Sequence, residues 1–139
     1  MTERARPVLQ WSLHAGAVYF GLVAVAHMIG MKLPVLYIYP MLPSYAYQDK
    51  LIAILSFGWA LMIRAAARHV EREEIVRALL VAGAGAIAGL LAINLTTDLR
   101  ALPPSDVRAI WAGFAGMLSY LVWLAGWYWA AEIHRGRER

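Results

Sequence analysis

The chain has 139 residues, of which 61% are hydrophobic and only 16% charged, whereas ordinary soluble domains carry about 25% charged residues, so a water-exposed globule is excluded. Its length leaves room for one domain, and the absence of cysteine excludes disulfides, thiolate catalysis and Cys-ligated zinc or iron–sulfur centres. The net charge of +4 does not make it a nucleic-acid binder, because the arginines flank apolar segments instead of gathering on one folded face.

Four apolar stretches account for nearly all of the sequence, and spanning a bilayer takes about 20 residues of helix. The expected fold is an all-α integral membrane protein: an antiparallel four-transmembrane-helix bundle forming a single membrane domain over 1–139. The first helix is predicted over about 7–31, with Pro7 suited to a first turn because it has no amide hydrogen to satisfy, and Pro34 closing it. This segment has the outline of a signal peptide, with Ala24-Val25-Ala26 imitating a cleavage site. Its length and its Gln10, His14 and Tyr19 favour a spanning helix instead.

Residues 32–44 form a loop in which Pro34, Pro40 and Pro43 forbid a long helix. Tyr37, Tyr39, Tyr45 and Tyr47, in and just after it, suit the headgroup layer. The second helix is expected over 45–68, capped by Ser44. Its apolar centre, Leu51 to Ile63, is short for a span, and snorkelling of Arg64 and Arg68 makes up the length. The third helix, 71–98, opens with Glu71, Glu73 and Glu74, where carboxylates complement the helix dipole. Ala82, Gly83, Ala84, Gly85, Ala86, Ala88 and Gly89 leave much of its circumference bare, so the other helices are expected to pack around it. Gly85 with Gly89, and Ala112 with Gly116 on the fourth helix, form small-xxx-small pairs that let backbones approach closely in lipid. The fourth helix is expected over 106–131, with Ser105 as its cap and Asp106 near its N-terminus, followed by a polar tail, 132–139.

Four spans put both termini on one side. That side collects Arg4, Arg6, Arg64, Arg68, Arg72, Arg77, Arg135, Arg137 and Arg139, and the other only Lys32, Lys50, Arg100 and Arg108. The asymmetry orients both termini to the cytoplasm in a cytoplasmic (inner) membrane. Trp11, Trp127 and Trp129 then mark the inner interface, and Trp111 with the loop tyrosines marks the outer one.

Several residues are candidates for chemistry. His14 and His27 on the first helix invite a b-type haem. Thirteen residues at about 100° each set the two rings about 140° apart, and no second histidine lies at the depth of His27. The alternative for each is a hydrogen-bonded histidine at a helix contact. His27 with Asn94, Thr97 and Asp98 makes a polar constellation near the outer face, since an ionisable group within a span is a functional-site hypothesis. The alternative is that Asp98 has already left the membrane. Arg64 lies within reach of Glu71 or Glu132, or snorkels to anionic headgroups. Tyr120 and Trp123 lie deep enough to flank a pigment, a quinone or a lipid tail, or simply pack.

No cofactor and no metal site is expected. The residues a haem, pigment or quinone would use are His14, His27, Tyr120 and Trp123. No GxSxG, HExxH, phosphate loop or dinucleotide turn occurs, and no acidic residue lies mid-span. The expected function is a small non-catalytic subunit or assembly partner of a larger membrane complex, respiratory or photosynthetic. Its partners are then the lipid bilayer, other membrane subunits or further copies of itself, and no nucleic acid. The alternatives are a homo-oligomeric small transporter or channel with a polar site near His27, Asn94 and Asp98, and a membrane enzyme acting on lipid or quinone.

Overall fold

The computed structural model describes residues 5–33, 36 and 46–135, and contains helices and no strand among them. Four helices run along the chain, α1 (Ala5–Ile29), α2 (Ala46–Arg68), α3 (Glu73–Thr96) and α4 (Pro104–Arg135). Each is long and apolar enough to cross a membrane. The protein is a four-helix membrane bundle of the multi-pass kind. Tyr37, Tyr39, Tyr45, the expected cap Ser44 and the terminal arginines Arg4, Arg137 and Arg139 lie outside the described residues.

The ends of the helices reflect local chemistry. α1 stops at Gly30, not at Pro34, because Gly30 takes a left-handed φ of 70°. Its amide donates to the His27 carbonyl at 3.3 Å and the Met31 amide to the Ala26 carbonyl at 2.8 Å. This double closure satisfies two carbonyls of the last turn and needs a residue without a Cβ penalty at its centre. α3 ends at Thr96, two residues earlier than expected, with the Thr97 amide still bonded to the Ile93 carbonyl at 2.9 Å. Asp98 then accepts from the Arg100 amide at 3.1 Å and opens a single 3₁₀ turn, Leu99–Ala101. α4 begins at Pro104, whose fixed φ suits the first helical position. Ser105 therefore lies inside the helix, and its hydroxyl donates to Asp106 Oδ1 at 3.2 Å instead of capping.

The helices pair unequally. α1 lies against α2 over its whole length and also contacts α4, whereas α3 touches α4 and only sparsely α2. Gln10 Nε2 donates to the Ala67 carbonyl at 3.0 Å near one end of the α1–α2 pair, and His27 meets Asp49 near the other. The residue numbers of the two contacts add to nearly the same total, which is the register of an antiparallel hairpin without slippage. Alanines make this closeness possible: Ala24, Ala26, Ala53, Ala60, Ala66 and Ala67 are all buried.

One apolar core joins the four helices at the end that carries the α2–α3 turn. It consists of Leu9, Leu13, Ile63, Ala66, Ala67, Val70, Val76, Leu79, Leu124 and Tyr128. This is the turn end of the bundle; the opposite end, where α1 runs toward the long loop, is the loop end.

The expected central role of α3 is therefore corrected: most of the helix packing falls on α1, which lies against α2 and α4, and α3 buries only Val76, Leu79 and Asn94. Small residues reveal where a helix can be approached closely, but not by which neighbour. A Cβ built on Gly85, Gly89 or Gly116 would meet nothing within 4 Å, and Ala112 is exposed. Gly16 and Gly83 do take a neighbour. A Cβ on Gly16 would collide with the Tyr120 hydroxyl, and one on Gly83 would stand 3.0 Å from Leu121 Cδ1.

Candidate functional site

His27 lies in the last turn of α1 and Asp49 in the first turn of α2. A helix rises about 1.5 Å per residue, so both lie within one turn of their helix ends. Antiparallel neighbours bring them to the same level. His27 Nδ1 stands 3.3 Å from Asp49 Oδ1, and each residue is 7% exposed. An imidazole and a carboxylate this deep do not arise from snorkelling, since neither side chain is long enough to reach far. Ala53, one turn beyond Asp49 on α2, and Val23, Ala24 and Ala26, within a turn of His27 on α1, are all buried.

The chemistry of such a pair is proton chemistry. The imidazole titrates nearest neutrality among ordinary side chains, and the carboxylate fixes which ring nitrogen carries the proton.

Asp49 is absent from the candidates that sequence reasoning supplies. A carboxylate in the first turn of a helix reads as a dipole partner, and nothing local separates that role from a cross-helix pairing. The usable signal is depth: His27 near the end of one helix and Asp49 near the start of the next must lie level in an antiparallel pair.

The other candidates fall elsewhere. His14 is half-buried, its ring edge-on to Trp11 at 6.1 Å between centroids, and thirteen residues along α1 from His27, which is roughly 20 Å of helix. Asn94 is buried near the end of α3, while Thr97 and Asp98 are exposed beyond it. Arg64 is exposed. Tyr120 donates its hydroxyl to the Ser12 carbonyl at 2.8 Å, and Trp123 Nε1 donates to the Ser12 hydroxyl at 2.9 Å. Tyr120 reaches across Gly16, and both α4 side chains use their polar atoms to fasten α4 to α1. Among the described residues no group of three or more histidines and carboxylates converges to hold a metal ion.

At the turn end the charged contacts are superficial. Arg6 Nη2 stands 3.8 Å from Glu71 Oε2, and His69 Nδ1 stands 3.5 Å from Glu71 Oε1, with the side chains about half exposed. The chain matches no protein-family model, no curated protein and no solved structure, so residues and geometry alone speak for its function.

Proposed function

We propose that the chain is a small non-catalytic membrane subunit, an assembly partner of a larger membrane complex, set in a cytoplasmic (inner) membrane with both termini cytoplasmic. The observation that carries this is the outward side of α3. Ala78, Ala82, Gly85, Gly89, Ala92 and Thr96 recur at alternating intervals of four and three residues, and all are exposed save half-buried Ala82. They lie two positions, about 200°, from the seam Val76, Leu80, Gly83, Ile87, Leu90 and Asn94 that α3 turns toward the bundle.

Elsewhere the chain meets its surroundings with large apolar groups: Trp11, Val18, Leu22 and Val25 on α1, and Leu51, Leu55, Phe57 and Leu61 on α2. Lipid tails fill space against large side chains, while small residues gain only where another backbone comes close. Glycine in a helix interior costs about 1 kcal/mol relative to alanine, so a bare outward seam is a cost that a helix from another chain offsets. The arginine asymmetry between the two ends supports the orientation.

Purification of the tagged chain from its native membrane in mild detergent tests this. The wild type is expected to elute with a partner, and the Gly85→Leu/Gly89→Leu variant to elute without it. Ala15→Leu, an enlargement on the exposed side of α1, is the control that keeps the partner. A wild-type chain that elutes alone as a monomer, or a complex that survives both enlargements on α3, overturns the reading. A second reading, a homo-oligomeric small transporter or channel, is favoured by the buried His27–Asp49 pair. The same experiment separates the two, since a uniform homo-oligomer supports transport and a distinct partner supports the subunit.

A further inference from the structure

The geometry points to a lipid seat between α2 and α3 at the turn end, taken by a phospholipid with a primary-amine headgroup, its ammonium on Glu74 and one acyl chain in the hollow beneath. This goes beyond assembly, because it needs no other protein. α2 and α3 are joined by the turn but touch only sparsely. Between them lies an open cavity of about 340 Å³, lined by Met62, Ala65, Glu74, Ile75, Ala78 and Leu79. All but Glu74 are apolar, and the two alanines leave the space. In a membrane such a hollow fills with hydrocarbon, and its size selects the kind. The lining covers one turn of α2 and about a turn and a half of α3, roughly 5–8 Å along their axes. A helix, about 10–12 Å across with its side chains, needs a longer seat. A single acyl chain does not.

Glu74 selects the headgroup. It lies in the first turn of α3, at the end of a span, where headgroups lie. The helix dipole favours a carboxylate there, but that role does not place it on an apolar hollow. Its neighbours in sequence are engaged: Glu73 stands 3.8 Å from Arg77, and Glu71 meets Arg6 and His69. Among the described residues Glu74 has no ion-pair partner. The chain's two lysines, Lys32 and Lys50, both belong to the loop end, so neither supplies an ammonium to it. A primary ammonium offers three N–H donors to a carboxylate in short, charge-assisted hydrogen bonds. A choline headgroup has the same charge and no N–H. Arg68 is exposed and lies one turn beyond Ala65 on the same side of α2, in place for the lipid phosphate.

The full-length protein in detergent is titrated with lipid, and each bound lipid is counted by native mass spectrometry. The probes are dioleoyl phosphatidylethanolamine, its N-methyl and N,N-dimethyl derivatives, and dioleoyl phosphatidylcholine. They share chains, phosphate and charge, and differ in the number of N–H donors. The wild type is expected to bind the ethanolamine lipid about fivefold more tightly than the choline lipid, the size of one charge-assisted contact near a surface, with the methylated lipids between. In Glu74→Gln all four are expected to bind alike, at the level of the choline lipid. In Ala78→Phe, which fills the hollow from an exposed position, binding of all four is expected to fall.

The headgroup series uses the wild type alone, so it decides the matter even where a variant fails to fold. Equal binding of the ethanolamine and choline lipids overturns the proposal. So does an amine preference that persists in Glu74→Gln, or binding that is unchanged in Ala78→Phe. Tighter binding of dioleoyl phosphatidylglycerol than of the ethanolamine lipid also overturns it, since the arginines alone would then choose the headgroup. The result does not depend on the assembly reading, whose test lies at Gly85 and Gly89, roughly 10–17 Å further along α3 than Ala78.

Discussion

The two ends of the bundle are built on different physics. At the turn end all four helices contribute to one apolar core, and the charged contacts there, Arg6 and His69 with Glu71, stay at the surface. At the loop end α1 and α2 close over alanines and a buried pair of ionisable groups. The turn end is held by close packing, which is indifferent to pH. The loop end adds a contact between two buried ionisable side chains. In lipid this division matters more than in water, because apolar burial between helices gives little drive when the solvent is itself apolar, and packing and polar contacts decide the outcome.

The largest expected effect comes from breaking the pair on one side only. Asp49→Leu removes the carboxylate that His27 meets at 3.3 Å and is expected to cost about 3–5 kcal/mol, whereas replacing both residues by leucine restores most of the loss. Reversible unfolding in mixed micelles measures both. If the single and double variants unfold alike, the two side chains are not coupled and the contrast between the ends fails. Leu13→Ala probes the other end. Leu13 is fully buried at 0% exposure, and its truncation is expected to cost about 2 kcal/mol, the low end for such a cavity because lipid removes the water-transfer part of the loss. That cost should be the same at acid and alkaline pH. A pH-dependent Leu13→Ala effect would tie the two ends into one unit.

Between the ends, α4 is fastened to α1 where Tyr120 crosses Gly16 to reach the Ser12 carbonyl. Gly16→Ala forces the tyrosine aside and is expected to cost about 1–2 kcal/mol, within the range for an overpacked contact. Tyr120→Phe alone removes one hydrogen bond, about 0.6 kcal/mol in a membrane. In the double variant the alanine no longer meets a hydroxyl, so the combined cost should be less than the sum of the two. Strict additivity in that cycle would mean that the clash is relieved elsewhere.

These contacts also show how far the sequence alone reaches. The four spans are legible in it because length and hydropathy decide whether a segment crosses a membrane. The stop of α1 is harder to place. Pro34 is the conspicuous helix breaker, yet a left-handed glycine ends a helix at its own position, and Gly30 comes first. The prominence of Gly85 and Gly89 rests on a sound rule applied to the wrong neighbour: within the chain Gly16 and Gly83 meet another helix, and a Cβ on Gly85 or Gly89 would meet nothing within 4 Å. His27 stands out as an ionisable group in a span, but shared depth alone directs the search for its partner to α3. Asp49 lies at that depth too, on the helix that comes next in sequence, and adjacency in the chain is the stronger guide in an antiparallel bundle.

The smallest effect belongs to Glu71 at the turn end, and its sign can be worked out. Hydrogen bonding to the backbone, and then the His69 and Arg6 contacts, hold its carboxyl below the ordinary glutamate value of 4.5. A carboxylate whose pKa is lower in the folded state contributes stability above its unfolded pKa and loses it as the pH falls through the folded value. The stability difference between wild type and Glu71→Gln is therefore expected to be complete at neutral pH, to begin shrinking as the pH drops past 4.5, and to vanish below the lowered folded value. Solvent around the carboxylate keeps it small throughout, so thermal unfolding of the two proteins side by side in one detergent is the suitable measurement. A difference that persists undiminished in acid would assign the effect to the shape of the turn instead of its charge. A difference exceeding that of Gly16→Ala would place the strength of the turn end in its surface ion pairs, and the two ends would then rest on the same kind of interaction.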